Sequence, residues 1–173
     1  MGRTLVYKST VVGSPFESYP GQGRALLGKC SGANCRREYG LKFMRRTGQR
    51  HCAYCGTDLT STYDRWLSMA IDHVVPVSVC RRLNIPSEWA EDCVNKVLAC
   101  GACNSFENRF SALELVDCPT DLETFIAIRD RLFIQRKLLI ARKHVAEREF
   151  FDGSPWVSQQ DSDREVRGSK QAP

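Results

Sequence analysis

The sequence has no long hydrophobic run and no internal repeat. No stretch approaches the roughly 18 uninterrupted apolar residues that a membrane span requires. The first residues, Met1 to Gly13, lack the charged, apolar and small-residue order of a signal peptide. These absences exclude a transmembrane or repeat protein, and we expect a cytoplasmic protein without a membrane partner.

The composition is that of a globular protein, with 42% hydrophobic and 26% charged residues among 173. Domains commonly contain about 100–150 residues, so one domain with tails is expected. Breakers and composition predict four segments: an N-terminal arm and basic approach segment over 1–50, a core over 51–112, a C-terminal helical extension over 113–156, and a disordered tail over 157–173.

Basic residues exceed acidic ones by 25 to 20, and the surplus is concentrated between Arg24 and Arg50. Such a run is typical of a protein with a polyanionic partner, although a solvated face is the more common explanation of a charge cluster. If the partner is DNA, Arg45, Arg46 and Arg50 are the candidates for phosphate contacts.

The order of elements predicted for the core is strand, long excursion, strand, helix. The second half of Trp66–Val75 and the segment Val94–Ala99 are the predicted strands, and Val77–Cys93 is the excursion between them. A helix is expected to begin near Cys103. Asp121–Phe151 lacks Gly and Pro and predicts a long helix, which either packs on the core or serves as a dimer surface.

Four of the nine cysteines form two pairs at zinc-ligand spacing, Cys52-x-x-Cys55 and Cys100-x-x-Cys103. In a reducing cytoplasm such pairs indicate a metal before a disulfide. Four thiolates fill all positions of a tetrahedral zinc ion, so the predicted site is structural. The interval between the pairs is much longer than the roughly 15–20 residues of a simple zinc ribbon, which leaves room for additional function.

Further cysteines and histidines have more than one interpretation. Cys30, Cys35, Cys80 and Cys93 form either a second zinc site or, as the looser spacing favours, buried free thiols. Of the histidines outside the interval, we expect His51 to flank the first pair and His144 to lie on a helix surface.

Within the interval lies Asp72-His73-Val74-Val75-Pro76, followed by Asn95 and then by Asn104 directly after the second cysteine pair. With the four cysteines in the same order, this pattern resembles the HNH endonuclease family of the ββα-metal (His-Me finger) nucleases. The resemblance covers roughly residues 51–110. It implies an α+β fold with a small ββα-metal core held by the zinc site, a long C-terminal helix and an extended N-terminal arm.

The resemblance also implies a role for each residue of the pattern. His73 would be the general base, which suits an imidazole pKa of about 6.5. Asp72 and Asn104 would hold one catalytic Mg²⁺ or Mn²⁺ ion, and Asn95 would orient the loop that carries the base. A bulge or loop around His73 is expected, and Glu107 is either a surface acid or a further ligand.

The function implied is a metal-dependent DNA endonuclease of restriction or phage type. For such an enzyme a homodimer is one expected state of the protein. A zinc-finger nucleic-acid-binding module without catalysis is the alternative, and a zinc-held protein-interaction module is a third hypothesis.

Overall fold

The computed structural model describes residues 15–16, 35–106 and 118–155. These segments contain two strands, six α-helices, a π-helix and a 3₁₀ turn. In chain order they are the π-helix Cys35–Gly40, α1 (Leu41–Thr47), α2 (Tyr63–Leu67), β1 (Met69–His73), α3 (Val77–Arg82), α4 (Ser87–Ala90), the 3₁₀ turn Cys93–Asn95, β2 (Lys96–Cys100), α5 (Gly101–Phe106) and α6 (Leu122–Asp152).

The two strands, joined by the excursion, form an antiparallel pair, the β1–β2 hairpin, at the centre of the described structure. Their register runs from Met69 opposite Cys100 to His73 opposite Lys96. Residues 96–99 of β2 are buried on both faces, which explains the continuous apolar character of residues 97–99. Both predicted strands are confirmed, although β2 begins at Lys96, two residues after the predicted start.

The excursion between the strands contains two short helices and leads into the 3₁₀ turn. Helices α3 and α4 directly follow Pro76 and Pro86. Proline is favoured at helix starts because its fixed φ suits the first turn and its missing N–H is not needed there. The excursion thus folds back compactly and returns the chain to β2.

The long C-terminal helix is confirmed as α6, which begins after Asp121. The Asp121 side chain accepts a hydrogen bond of 2.8 Å from the backbone N–H of Thr124, as an N-cap does. Phe125, Ile128 and Leu132 are buried, so this helix contributes a large part of the core. The buried face of α6 also contains two arginines, Arg129 and Arg136.

The described part of the N-terminal segment is helical and packs on the core. Tyr39 and Phe43 are buried, and the π-helix contacts β1. Phe16 is also buried and meets Phe133 edge to face, with ring centroids 5.4 Å apart. Within the predicted N-terminal segment, residues 35–47 thus form helices, and their Tyr39 and Phe43 side chains belong to the core.

The described structure is a mixed helix and strand fold with a small two-stranded sheet. The order β1, β2, α5 is compatible with the α+β fold that was expected. Helix α5 begins at Gly101, two residues before the predicted start. Within the described ranges, no helix is long and apolar enough to cross a bilayer. Residues 1–14, the site of Cys30, Glu107 and the predicted tail from 157 lie outside the described residues.

Candidate functional site: a cysteine cluster and a histidine on one hairpin

The two cysteine pairs come together in space. The Sγ atoms of Cys52, Cys55, Cys100 and Cys103 all lie within 4.8 Å of one another. Cys55 Sγ and Cys100 Sγ are 3.9 Å apart. Zinc–sulfur bonds of about 2.3 Å in a tetrahedron separate the sulfur atoms by about 3.8 Å. The donor set and its spacing therefore fit a structural zinc ion, as the sequence predicted.

The first pair is presented by a tight turn. The backbone N–H of Gly56 donates to the carbonyl oxygen of Cys52 at 2.9 Å, and the N–H of Cys52 donates to Thr57 at 2.8 Å. Gly56 has a φ of +76°, a backbone conformation that residues other than glycine rarely adopt. This turn directs both thiols of the pair to the same side.

The second pair lies where β2 ends and α5 begins. The N–H of Cys103 points at Cys100 Sγ, with a separation of 3.5 Å. Ala53, inside the first pair, donates its N–H to the carbonyl oxygen of Leu98 on β2 at 2.9 Å. The first turn is thus bonded to the strand that leads into the second pair, so the hairpin itself brings the four sulfur atoms together.

Clustering alters the acidity of the thiols. Hydrogen bonds from the side chains of Cys103 and Cys52 lower the pKa of Cys100 to about 3. The hydrogen bond between Cys103 and Cys100 raises the pKa of Cys103 above that of an ordinary thiol. A cluster in which one thiolate is already favoured is suited to a cation, because metal binding requires deprotonated sulfur.

His144 reaches the cluster from α6. Its Nε2 lies 3.0 Å from Cys103 Sγ, and its ring meets Phe106 edge to face with centroids 5.0 Å apart. The expectation that His144 is a helix-surface residue is therefore wrong. The spacing of residues along α6 gave no sign of this contact, because it depends on how α6 crosses α5.

His73 is the last residue of β1 and lies at the other end of the hairpin from the second cysteine pair. Its side chain is 26% exposed, and Nε2 lies 3.2 Å from Oε2 of Glu91. Burial and the nearby Lys96 lower the pKa of His73, although Glu91 opposes this shift. The imidazole is therefore uncharged at neutral pH, the form in which it can accept a proton.

The backbone around His73 is regular. His73 pairs with Lys96 in the uninterrupted register of the two strands. Of the expected bulge or loop, the bulge is not observed, whereas a loop does begin directly after His73, at Val74. Regular pairing sends adjacent side chains to opposite faces of a strand, and His73 and Asp72 indeed contact different groups.

Asp72 is held by two side chains. Its Oδ2 accepts a hydrogen bond of 2.5 Å from the Tyr54 hydroxyl and lies 2.8 Å from Nη2 of Arg136. Asn104 is half-buried on α5. In the part of the chain that is described, no hydrogen bond joins Asn104 to Asp72. Binding of a divalent cation by these two residues stays a prediction.

Asn95 lies in the 3₁₀ turn before β2 rather than on the predicted strand. It is fully buried. Its Oδ1 accepts from the N–H of Val75 at 2.9 Å, and its Nδ2 donates to the carbonyl oxygens of Val75 at 3.1 Å and Ala90 at 2.9 Å. One amide therefore fixes the segment that directly follows His73.

The three arginines predicted to contact DNA are exposed. Arg45 and Arg46 are in the last turn of α1, and Arg50 follows it after a left-handed Gly48. They lie before the first cysteine pair, on a segment that the structure packs against the core.

A second zinc site is not present among the described residues, where the four-cysteine cluster is the one candidate metal group. Cys80 and Cys93 are buried, and burial raises the pKa of Cys80 to about 11 and that of Cys93 to about 12. Neither of them forms a disulfide, and a second zinc site that also includes Cys30 and Cys35 stays a prediction. Cys30 and the side chain of Cys35 lie outside the described residues.

Sequence reasoning missed three charged residues around His73 and Asp72. They are Glu91, Lys96 and Arg136. The sequence did indicate a role for Lys96, since this lysine lies in a predicted apolar strand and a buried lysine needs a partner. The indication for Arg136 was weaker: it follows Leu132 by one helical turn and so lies on the apolar face of α6.

Comparisons of the chain with family models, with curated proteins and with solved structures gave no match. The likeness to HNH endonucleases accordingly depends on the pattern of Asp72, His73, Asn95 and Asn104 with the two cysteine pairs.

Proposed function

We propose that this chain is an HNH-type endonuclease that hydrolyses DNA phosphodiester bonds with His73 as general base. The observation that supports this most directly is the setting of His73. Its imidazole is partly exposed, is kept uncharged by burial, and is bonded through Nε2. A neutral, oriented and accessible imidazole is what proton abstraction from water requires.

In the proposed reaction, a water molecule gives one proton to His73 while its oxygen forms a bond to phosphorus. The bond between phosphorus and the 3′ oxygen breaks, and that oxygen takes a proton from solvent. The ends would be a 5′-phosphate and a 3′-hydroxyl, as in the resembled family. Asn95 would keep His73 in place through the segment at Val75.

The zinc ion is proposed as a structural part of this site. Bound to the four thiolates, it would join the turn at Cys52 to the start of α5 and so close the hairpin that carries His73. Zinc with four protein ligands has no open position for substrate, so no chemical step is assigned to it.

The resemblance also implies a catalytic Mg²⁺ or Mn²⁺ ion, held by Asp72 and Asn104. Asp72 and Asn104 offer oxygen donors of the kind that these ions prefer. The described contacts, however, place a guanidinium and a hydroxyl at Oδ2 of Asp72 rather than a further ligand. Because Oδ2 of Asp72 is already bonded to Tyr54 and Arg136, no step of the reaction is assigned to the ion.

The test is cleavage of supercoiled plasmid by the zinc-loaded full-length protein with Mg²⁺, with Mn²⁺ or with no added divalent cation. His73→Ala is expected to lower the rate by roughly 10²- to 10⁴-fold, the usual contribution of a general base. His51→Ala is the matched control, since His51 is an exposed histidine on the first cysteine turn. Equal cleavage by folded, zinc-loaded His73→Ala would show that His73 is not the base.

The ratio of nicked to linear plasmid addresses the type of enzyme. A restriction or phage-type enzyme that cuts both strands in one encounter would need two active sites and hence a homodimer. Linear product appearing together with nicked product would support this form, and accumulation of nicked plasmid alone would favour a monomer.

A second candidate function is nucleic-acid binding without catalysis. It is favoured by one observation, the ion pair of Asp72 with Arg136, which neutralises the carboxylate that the resemblance assigns to the cation. This hypothesis predicts normal DNA binding by the wild type and by His73→Ala, with no cleavage by either under any of the three conditions.

A further inference from the structure

The carboxylate of Glu91 lies between two nitrogen atoms. Its Oε2 is 3.2 Å from Nε2 of His73 and 3.2 Å from Nζ of Lys96. An ionised carboxylate can only accept hydrogen bonds. The hydrogen of a neutral His73 ring therefore belongs on Nε2, and the lone pair is on Nδ1.

Glu91 is itself held in place by a buried lysine. The Lys96 side chain is 1% exposed, and its Nζ donates to the hydroxyl of Tyr39 at 2.6 Å and to the backbone carbonyl of Glu91. A buried ammonium needs such partners, because removing it from water is costly. The carboxylate is thus fixed by a group whose own position is set by β2.

The sheet fixes the geometry from the other side. Lys96 is the register partner of His73 across the two strands. Both contacts of the Glu91 carboxylate therefore come from one rung of the sheet, while Glu91 follows α4 at the end of the excursion. Among the hydrogen bonds of the described residues, none involves Nδ1 of His73.

We propose that Glu91 is a positioning residue that holds the His73 imidazole in the Nε2–H form and so leaves Nδ1 to take the proton from water. This inference depends on the proposed function, since it assigns the reactive atom of the proposed base. The sequence motif does not include Glu91, which is brought to His73 by the fold of the excursion.

A purely structural role for Glu91 makes a different prediction. If the carboxylate serves only to neutralise Lys96, its removal lowers stability and leaves the His73 ring unaffected. If it positions the imidazole, its removal changes the hydrogen bonding of the ring and the rate of cleavage. Both effects can be measured separately.

The first experiment is nitrogen-15 NMR of the histidine rings in the full-length, zinc-loaded protein above the titration of His73. A hydrogen-bonded Nε2–H exchanges slowly with water and gives a downfield signal, assigned by its loss in His73→Ala. The signal is expected in the wild type and in Glu88→Gln, and is expected to disappear in Glu91→Ala. Glu88 is a matched control because it is an exposed acid on α4.

The ring of His144 provides an internal reference, because its Nε2 is bonded to Cys103 and not to Glu91. Its signal is expected to persist in Glu91→Ala. A proton on Nδ1 of His73 in the wild type, or an unchanged His73 signal in folded Glu91→Ala, would overturn the proposal whether or not the protein cleaves DNA.

The second experiment is steady-state cleavage. Glu91→Ala is expected to lower kcat by roughly 10- to 100-fold, with KM for DNA unchanged, as is typical when a supporting hydrogen bond is lost. Glu91→Gln retains an oxygen that can accept from Nε2–H, so it is expected to recover part of the rate. An unchanged kcat in folded Glu91→Ala would contradict the positioning role.

The two proposals fail in distinguishable ways. A wild type that does not cleave, or a His73→Ala variant that cleaves equally, contradicts the proposed function, and the NMR signal then decides the hydrogen bond independently. Cleavage that requires His73 but is indifferent to Glu91 contradicts the positioning role alone.

Discussion

The guanidinium of Arg136 lies 2.8 Å from Oδ2 of Asp72 and so joins α6 to β1. The same side chain donates to the carbonyl oxygens of His73 at 2.8 Å and Val74 at 3.0 Å. One residue of the C-terminal helix therefore satisfies three acceptors at the end of the strand that carries His73. The helix is part of the candidate site rather than an extension beside it.

Replacing Arg136 tests this connection. Arg136→Ala would leave the Asp72 carboxylate, whose side chain is 12% exposed, without its cation. Loss of one partner from a buried ion pair typically lowers the free energy of unfolding by about 3–5 kcal/mol. Urea unfolding of the zinc-loaded protein measures the change. Arg142→Ala, which removes an exposed arginine from the same helix, is expected to be nearly neutral, and equal stability of the two variants would contradict the connection.

Removal of a cysteine from the cluster tests the zinc site. Cys100→Ser is expected to lower the bound zinc from one equivalent towards none and to unfold the hairpin, because a metal-closed core folds only with its metal. Cys118→Ser removes an exposed cysteine outside the cluster and is the control. Metal analysis and far-UV circular dichroism provide the measurements. A full equivalent of zinc in folded Cys100→Ser would show that this thiol is not a ligand.

Substitution of Asn95 tests the support of the segment after His73. Asn95→Ala removes the hydrogen bonds that the Asn95 amide makes with the N–H and the carbonyl oxygen of Val75. Each buried polar group left unsatisfied costs about 1–3 kcal/mol. Hydrogen exchange is expected to show lost protection at the Val75 amide. The Val74 amide bonds the backbone oxygen of residue 95, so it is expected to remain protected, and equal protection at both would contradict the role.

Local patterns predicted the parts of the site that depend on neighbouring residues. The cysteine spacing identified the four clustered thiols, since each pair needs only a tight turn to present both sulfur atoms. The apolar run ending in Val74 and Val75 predicted β1, and the breaker-free stretch after Asp121 predicted α6. These features are set by short-range chain geometry.

Contacts between distant segments could not be predicted in this way. The pairing of Asp72 with Arg136 depends on the angle at which α6 crosses the sheet, and that of His73 with Glu91 on the path of the excursion. The expected bulge at His73 was inferred from a resemblance, whereas the observed strand is regular. The side-chain partners of a site are thus less predictable than its backbone.

The acidity of the buried thiols gives a prediction on chemical modification. The thiolate is the form that reacts, and burial raises the pKa of Cys80 to about 11 and of Cys93 to about 12. At pH 8 the thiolate fraction of Cys80 is therefore about one in a thousand, and it rises about tenfold for each pH unit up to the pKa. Peptide mapping after brief iodoacetamide treatment is expected to show modification of exposed Cys118 and no modification of buried Cys80 and Cys93. Equal modification of Cys80 and Cys118 in the folded protein would contradict the burial.

The exposed arginines before the first cysteine turn give a prediction on DNA affinity. Arg45, Arg46 and Arg50 project into solvent from a segment that packs on the core. A phosphate contact releases bound counterions from DNA, so the logarithm of affinity falls with the logarithm of salt concentration by about 0.9 for each contact. Each arginine-to-alanine change that removes a contact is expected to weaken binding of duplexes of unrelated sequence alike and to reduce this slope by about one. Fluorescence anisotropy across a salt series measures both, with Arg142→Ala on α6 as the control. An unchanged slope in the variant with Arg45, Arg46 and Arg50 all replaced by alanine would place the DNA contacts elsewhere on the chain. Removal of a residue that neutralises a phosphate must change the number of ions that binding releases.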